Sequence, residues 1–183
     1  MATAVSETEA HRAGKGAQPI YEVPAIPQHV DELLALPPDQ LRRLYETASV
    51  PRLDAIRGPL KGRMLAWPSV SGPLATLLRT LASSDRFPWR GKSFSPKADG
   101  RGEGINRVFS DRFTLFRFET FVGPSRAGAF DAVQLDYDNP HNPFFIRAIK
   151  DEIRELRPGL YLGQAWLKTP SKESLVLYFG LEG

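Results

Sequence analysis

The segment FTLFRFETFV, residues 113 to 122, is the one that most limits what this chain can become. Thr114, Phe116, Phe118, Thr120 and Val122 fall on one face of an extended chain, and Phe113, Leu115, Arg117, Glu119 and Phe121 fall on the other. A two-residue period of this kind predicts a strand. Phenylalanine on both faces supplies apolar surface for a core and for a pocket together.

The same period runs through AVQLDYD, where Val133, Leu135 and Tyr137 oppose Gln134, Asp136 and Asp138. GKSF, GINRVF, LYLGQAWLKT and SLVLYFGLE share the composition of strands, and turn-like KADGRGEG, SDR, GPSRAG and PSKE separate such runs. Connections this short imply antiparallel neighbours. About six or seven strands so joined make a strongly curved sheet or a small antiparallel β-barrel, a mainly β class with some helix.

The N-terminal half reads differently. Residues 1–27 carry few large apolar side chains and are expected to form a flexible tail. Val30, Leu33 and Leu34, then Leu41, Leu44, Tyr45 and Ala48, recur at helical spacing, and Pro37 and Pro38 divide them into two short helices. Leu53 and Ile56 suggest one more turn, and GRMLAW, residues 62–67, a short strand. Leu74, Leu77, Leu78 and Leu81 predict a further core-facing helix. Three parts are therefore expected: the tail at 1–27, a helical segment packed on the barrel at 28–86, and the barrel at 87–183.

Composition narrows the chemistry. With no cysteine among 183 residues, disulfides, thiolate catalysis and iron-sulfur clusters are excluded. A net charge of +3 is too small and scattered to argue for nucleic acid. No stretch approaches the roughly 20 apolar residues of a membrane span, and the first residues lack a secretory pattern. A cytoplasmic protein is expected. The histidines, His11, His29 and His141, are too dispersed for a metal site, and no motif calls for a cofactor. The glycines of DGRGEGIN lack the phosphate-loop pattern, so Asn106 and Arg107 after them are the better binding candidates.

LDYDNPHNPFFIRAIKDEIRELRPGLYLG, residues 135–163, concentrates Asp136, Asp138, Asn139 and Asn142 before an apolar stripe of Phe145, Ile146, Ile149, Ile153 and Leu156. Asn142 and Pro143 fit a helix start, and Pro158 and Gly159 a stop. The expectation is a helix of roughly 15 residues, about 22 Å long, inserted before the last two strands. On this reading the polar residues are a joint between strand and helix. Should the face bearing Asp136 line the barrel interior instead, its carboxylate becomes a candidate acid or base. Calcium is excluded, because counting from Asp136 puts His141 and Arg147 at the positions that need glycine and glutamate.

FPWRGKSF offers Trp89 to close a barrel end with a cation against its indole, and Lys92 to meet a ligand. The spacing Trp89, Gly91, Lys92, Phe94 at the start of an aromatic-rich antiparallel half resembles the lipocalin-like, or calycin, proteins. The resemblance covers residues 87–183 and implies a closed barrel that binds a lipid-like or polyketide-like molecule inside. The candidate ligand-binding residues are then Trp89, Asn106, Arg107, Phe116, Phe118, Tyr161 and Trp166. An enzyme on a hydrophobic substrate (a cyclase, isomerase or hydrolase) is the alternative, with Asp136, Tyr137 and Lys92 as candidate catalytic residues. A third reading uses the N-terminal helices as a docking element for a partner.

Overall fold

Each period-two segment pairs with its neighbours in sequence, and the last pairs with the first, which leaves no unpaired edge. The structure, a computed structural model, describes residues 25–68, 88–109 and 113–183. Among the described residues eight strands form a closed antiparallel barrel in chain order: β1 (Gly58–Ala66), β2 (Trp89–Pro96), β3 (Gly102–Val108), β4 (Phe113–Pro124), β5 (Asp131–Asp136), β6 (Ile149–Arg157), β7 (Leu160–Lys168) and β8 (Glu173–Glu182). β8 closes the ring on β1, with Met64 opposite Phe179. The barrel thus reaches back to Gly58, ahead of the boundary expected at 87, and has more strands than expected. The helix expected over residues 74–81 and most of the expected tail lie outside the described residues.

A helix does precede the last strands, but it is shorter than the stripe suggested. α2 (Phe144–Arg147) is a single turn, and residues 149–157 form β6, so that three strands follow rather than two. Ile149 and Ile153 are four apart, a spacing that fits a strand as well as a helix. Pairing decides between them: β6 bonds β5 on one side, with Val133 opposite Ile153, and β7 on the other, with Ile153 opposite Gly163. A helix there would have left both of those strands with open edges. Leu156 reaches the outer apolar cluster because alternation sets it on the face opposite Ile153.

Two apolar clusters hold the molecule together. Outside the barrel, the 3₁₀ turn Val30–Ala35 and α1 (Pro38–Thr47) lay Val30, Leu33, Leu41, Leu44 and Tyr45 against Leu65, Leu156, Leu160, Leu162 and Tyr178. Pro38 occupies the first turn of α1, where its missing N–H costs nothing. These contacts explain why β7 is buried along both faces. Inside, Ile56, Leu60, Phe94, Phe118, Val133, Leu135, Ile153 and Leu181 fill one end. The inward set Val133, Leu135 and Tyr137 is the one alternation predicts. No helix among the described residues is long and apolar enough to cross a membrane.

Candidate functional site

A barrel of eight strands has an interior just wide enough for packed side chains or one small ligand. Here both occur. Beyond the filled end lies a cavity of about 560 Å³, within the range of small-molecule sites. Its wall is apolar over most of its extent, with Met64, Trp67, Val108, Phe116, Ile149 and Leu177 among its members. Phe109 and Leu115 belong to it too and are exposed, at 68% and 47%, so the apolar surface continues to the outside.

The wall is shaped by breaks in the strand ladder. Between Ile105 and Asn106 the register with β4 shifts, so that Asn106 faces Leu115 while Ile105 faces Arg117. Phe116 is the extra residue, and its φ of 59° is a left-handed conformation that phenylalanine adopts only at a cost. The bulge turns both Leu115 and Phe116 into the cavity wall, which strict alternation would not do. A second shift lies between Trp89 and Gly91, where Gly91 takes a φ of 127° against the backbone of β1.

One polar cluster interrupts the apolar wall. Lys92 is 3% exposed and its Nζ donates to Asn106 Oδ1 at 2.8 Å, to Tyr137 Oη at 2.5 Å and to Asp151 Oδ2 at 2.9 Å. Tyr137 donates to the same Asp151 oxygen at 3.0 Å. Asn106 Nδ2 donates to Tyr137 Oη and to the Phe116 carbonyl, and Trp89 Nε1 donates to Asn106 Oδ1 at 3.0 Å. Every capacity of these groups is thereby used, with one exception. Asp151 Oδ1 is buried and has no hydrogen-bond partner among the described residues.

Electrostatics follow from burial. Removal from water pushes the Lys92 ammonium below the ordinary lysine range, and the Asp151 carboxylate opposes that shift. Burial, with the Asp151 charge, raises Tyr137 well above its ordinary value, so it stays a proton donor. Rings of Trp89, Phe118, Tyr137 and Phe179 surround Lys92 Nζ with centroids 5.1–5.5 Å away. Three of those rings lie over glycines: a methyl group at Gly62, Gly104 or Gly163 would overlap Trp89, Phe118 or Phe179 respectively.

Of the residues singled out from sequence, Lys92, Tyr137, Trp89, Asn106 and Phe116 meet at this cavity. Phe118 is packed in the filled interior beneath Lys92, and Tyr161 belongs to the same interior cluster. Arg107 donates to the Leu60 carbonyl at 2.6 Å, and Trp166 donates to Gln164 at 3.2 Å; neither forms part of the wall. Asp136 pairs with Lys150 and accepts from the Asp138 amide at 2.9 Å, outside the cavity. The Asp136 to Asn142 stretch is a joint: Asp138 pairs with Arg147, and Asn142 Nδ2 ties to the carbonyls of Arg117 and Tyr137. Asn142 does not cap α2, which Pro143 precedes.

Asp151 is the member that sequence reasoning missed, because in a helix over this segment it lies off the apolar stripe of Ile149 and Ile153. Read with a period of two, it stands between Ile149 and Ile153 on the inward face, and that was the available signal. No group of three or more potential metal ligands occurs among the described residues.

No family model matches the sequence, and no curated protein matches it either. The chain is similar to a solved structure described as that of a protein from Thermomonospora curvata. The identity is 16%, over 80% of this chain and 87% of that one, with a TM-score of 0.43.

Proposed function

We propose that this protein is a calycin-like barrel that binds a small, largely hydrophobic molecule, lipid-like or polyketide-like, inside its cavity. The observation that carries the reading is the joining of two features in one barrel: an apolar cavity of about 560 Å³ and a compact hydrogen-bonded polar cluster in its wall. Apolar walls supply affinity, and a few fixed polar groups supply orientation. Trp89, Asn106 and Phe116 are the ligand contacts in this reading, with Lys92, Tyr137 and Asp151 at the polar end. Native mass spectrometry of the purified protein, followed by organic extraction, tests it. A stoichiometric apolar adduct, or uptake of fatty acyl or polycyclic probes, is the expected result. A bare mass with no uptake of either probe class sinks the proposal.

A second reading has one specific observation in its favour. Lys92, Tyr137 and Asp151 are two proton donors and a carboxylate acceptor within hydrogen-bond distance of one another, all buried in the cavity wall. They suit proton transfer on a hydrophobic substrate, as in an isomerase, cyclase or hydrolase. Tyr137→Phe would then stop turnover with the fold intact, whereas a binding protein would keep its adduct.

A further inference from the structure

The polar cluster is satisfied from within at all points except one, and that point specifies what a ligand must bring. Lys92 offers three N–H groups and meets three acceptors. Tyr137 Oη accepts from Lys92 and Asn106 and donates to Asp151. Both Asn106 donors and its carbonyl oxygen are engaged. Asp151 Oδ2 accepts twice, while Oδ1 accepts from no described residue although Asp151 is only 5% exposed. A buried acceptor without a donor is unfavourable, more so when charged, so the empty position favours any molecule that fills it.

Charge restricts the choice of donor. Lys92 and Asp151 are the charged members of the described wall, and they neutralise each other at 2.9 Å. A carboxylate or phosphate would bring a second negative charge against Asp151 and would find the lysine donors already committed. An ammonium would bring a second cation beside Lys92 in a site with little water to screen the two. An uncharged O–H group supplies the missing donor and adds no net charge.

We propose that the cavity selects an uncharged apolar molecule whose buried end carries a hydroxyl group, and that Asp151 Oδ1 accepts its hydrogen bond. This rests on the binding function put forward above and names the chemical class of the ligand. Asp151 belongs to the cavity wall and its Oδ1 is buried without a partner; the last torsion of an aspartate is soft, so a turn of the carboxylate can present that oxygen to an arriving donor. A site built to satisfy a buried polar group rejects an analogue that lacks the matching atom far more strongly than it rejects a change in apolar bulk.

Isothermal titration of the full chain at neutral pH with decan-1-ol, 1-methoxydecane, decanoate and decylamine provides the test. The alcohol is expected to bind at least about tenfold more tightly than its methyl ether, and both ions more weakly than the ether. Equal binding of alcohol and ether, or tightest binding of decanoate or decylamine, overturns the inference and leaves the binding function standing. Failure of all four to bind overturns the inference, and the binding function then falls too if polycyclic probes are also not taken up. In the double variant Lys92→Met with Asp151→Leu, the ether is expected to bind still and the preference for the alcohol to vanish; an unchanged preference also overturns the inference. Should that variant not fold, the ligand series on the unaltered protein decides alone.

Discussion

Lys92 and Asp151 join opposite sides of the barrel: they stand on β2 and β6, four strands apart in a ring of eight, with Nζ and Oδ2 2.9 Å apart. Only a side chain as long as lysine spans that width, and only a closed barrel brings its far end to a carboxylate out of contact with water. The pair holds two walls at a fixed separation and sets the depth of the cavity above it.

Replacing Lys92 by Met leaves the Asp151 carboxylate buried without its cation. The expected loss is about 3–5 kcal/mol, because breaking such a pair strands a charge. Replacing both, with Met at 92 and Leu at 151, is expected to recover most of that loss. Urea denaturation of the three proteins, compared at equal m-values, measures both effects.

Alkaline pH addresses the outer cluster. Burial pushes Tyr178 up to about 12. Above the ordinary tyrosine range of about 10 the unfolded chain loses a phenolic proton that the folded chain keeps, so stability falls as pH rises from there toward 12. The whole effect is on the order of 2 kcal/mol. Tyr178→Phe is expected to flatten the decline in this window without abolishing it, since Tyr137 and Tyr45 are raised in the same direction. Denaturant midpoints at half-unit pH steps from 9 to 12 give the comparison.

Glu152 is fully buried on the outer side of β6, where it accepts from Ser125 Oγ at 2.8 Å and from the Arg126 amide at 3.0 Å. Arg126 also reaches Glu173, on the surface, at 3.0 Å. Glu152→Ala is expected to cost about 3 kcal/mol, and Glu173→Ala less than about 1 kcal/mol, since exposed pairs contribute little. Thermal or urea unfolding of the two variants separates them. Equal losses would mean that burial does not govern this network.

Gly163→Ala places a methyl group on the ring of Phe179, which forms part of the cavity wall. Overpacking of this kind costs about 1–3 kcal/mol and moves the ring. Weaker uptake of fatty acyl probes, together with a lower urea midpoint, is the expected pair of results. Unchanged uptake would show that the ring can shift without narrowing the cavity.

How far the sequence disclosed this arrangement depends on which side of a strand is considered. Alternation set Val133, Leu135 and Tyr137 apart because they face one way while polar Gln134, Asp136 and Asp138 face the other, even though Gln134 is itself buried. The same rule fails for β6, whose outer side chains Glu152, Arg154 and Leu156 are buried under the N-terminal segment and the 125–130 turn. With both faces covered, the contrast that marks a strand disappears, and a helical spacing of isoleucines filled the gap. Asp151 was lost with it. Lys92, Asn106 and Tyr137 were each visible as candidates, but their convergence depends on ring closure, which no local pattern encodes. The bulge at Phe116 was equally hidden, since nothing in FTLFRFETFV marks the residue that leaves the ladder.

The N-terminal segment gives the cylinder a lopsided hull. Strands β6 to β8 and β1 carry a second layer outside them, whereas Glu103 on β3 and Arg117 and Glu119 on β4 are exposed. The thin side is the one with fewer buried contacts to hold it, and beside it Phe109, Leu115 and Phe116 line the cavity. Under the binding function proposed above, a guest would enter on the single-planked side while the reinforced side keeps the berth in shape.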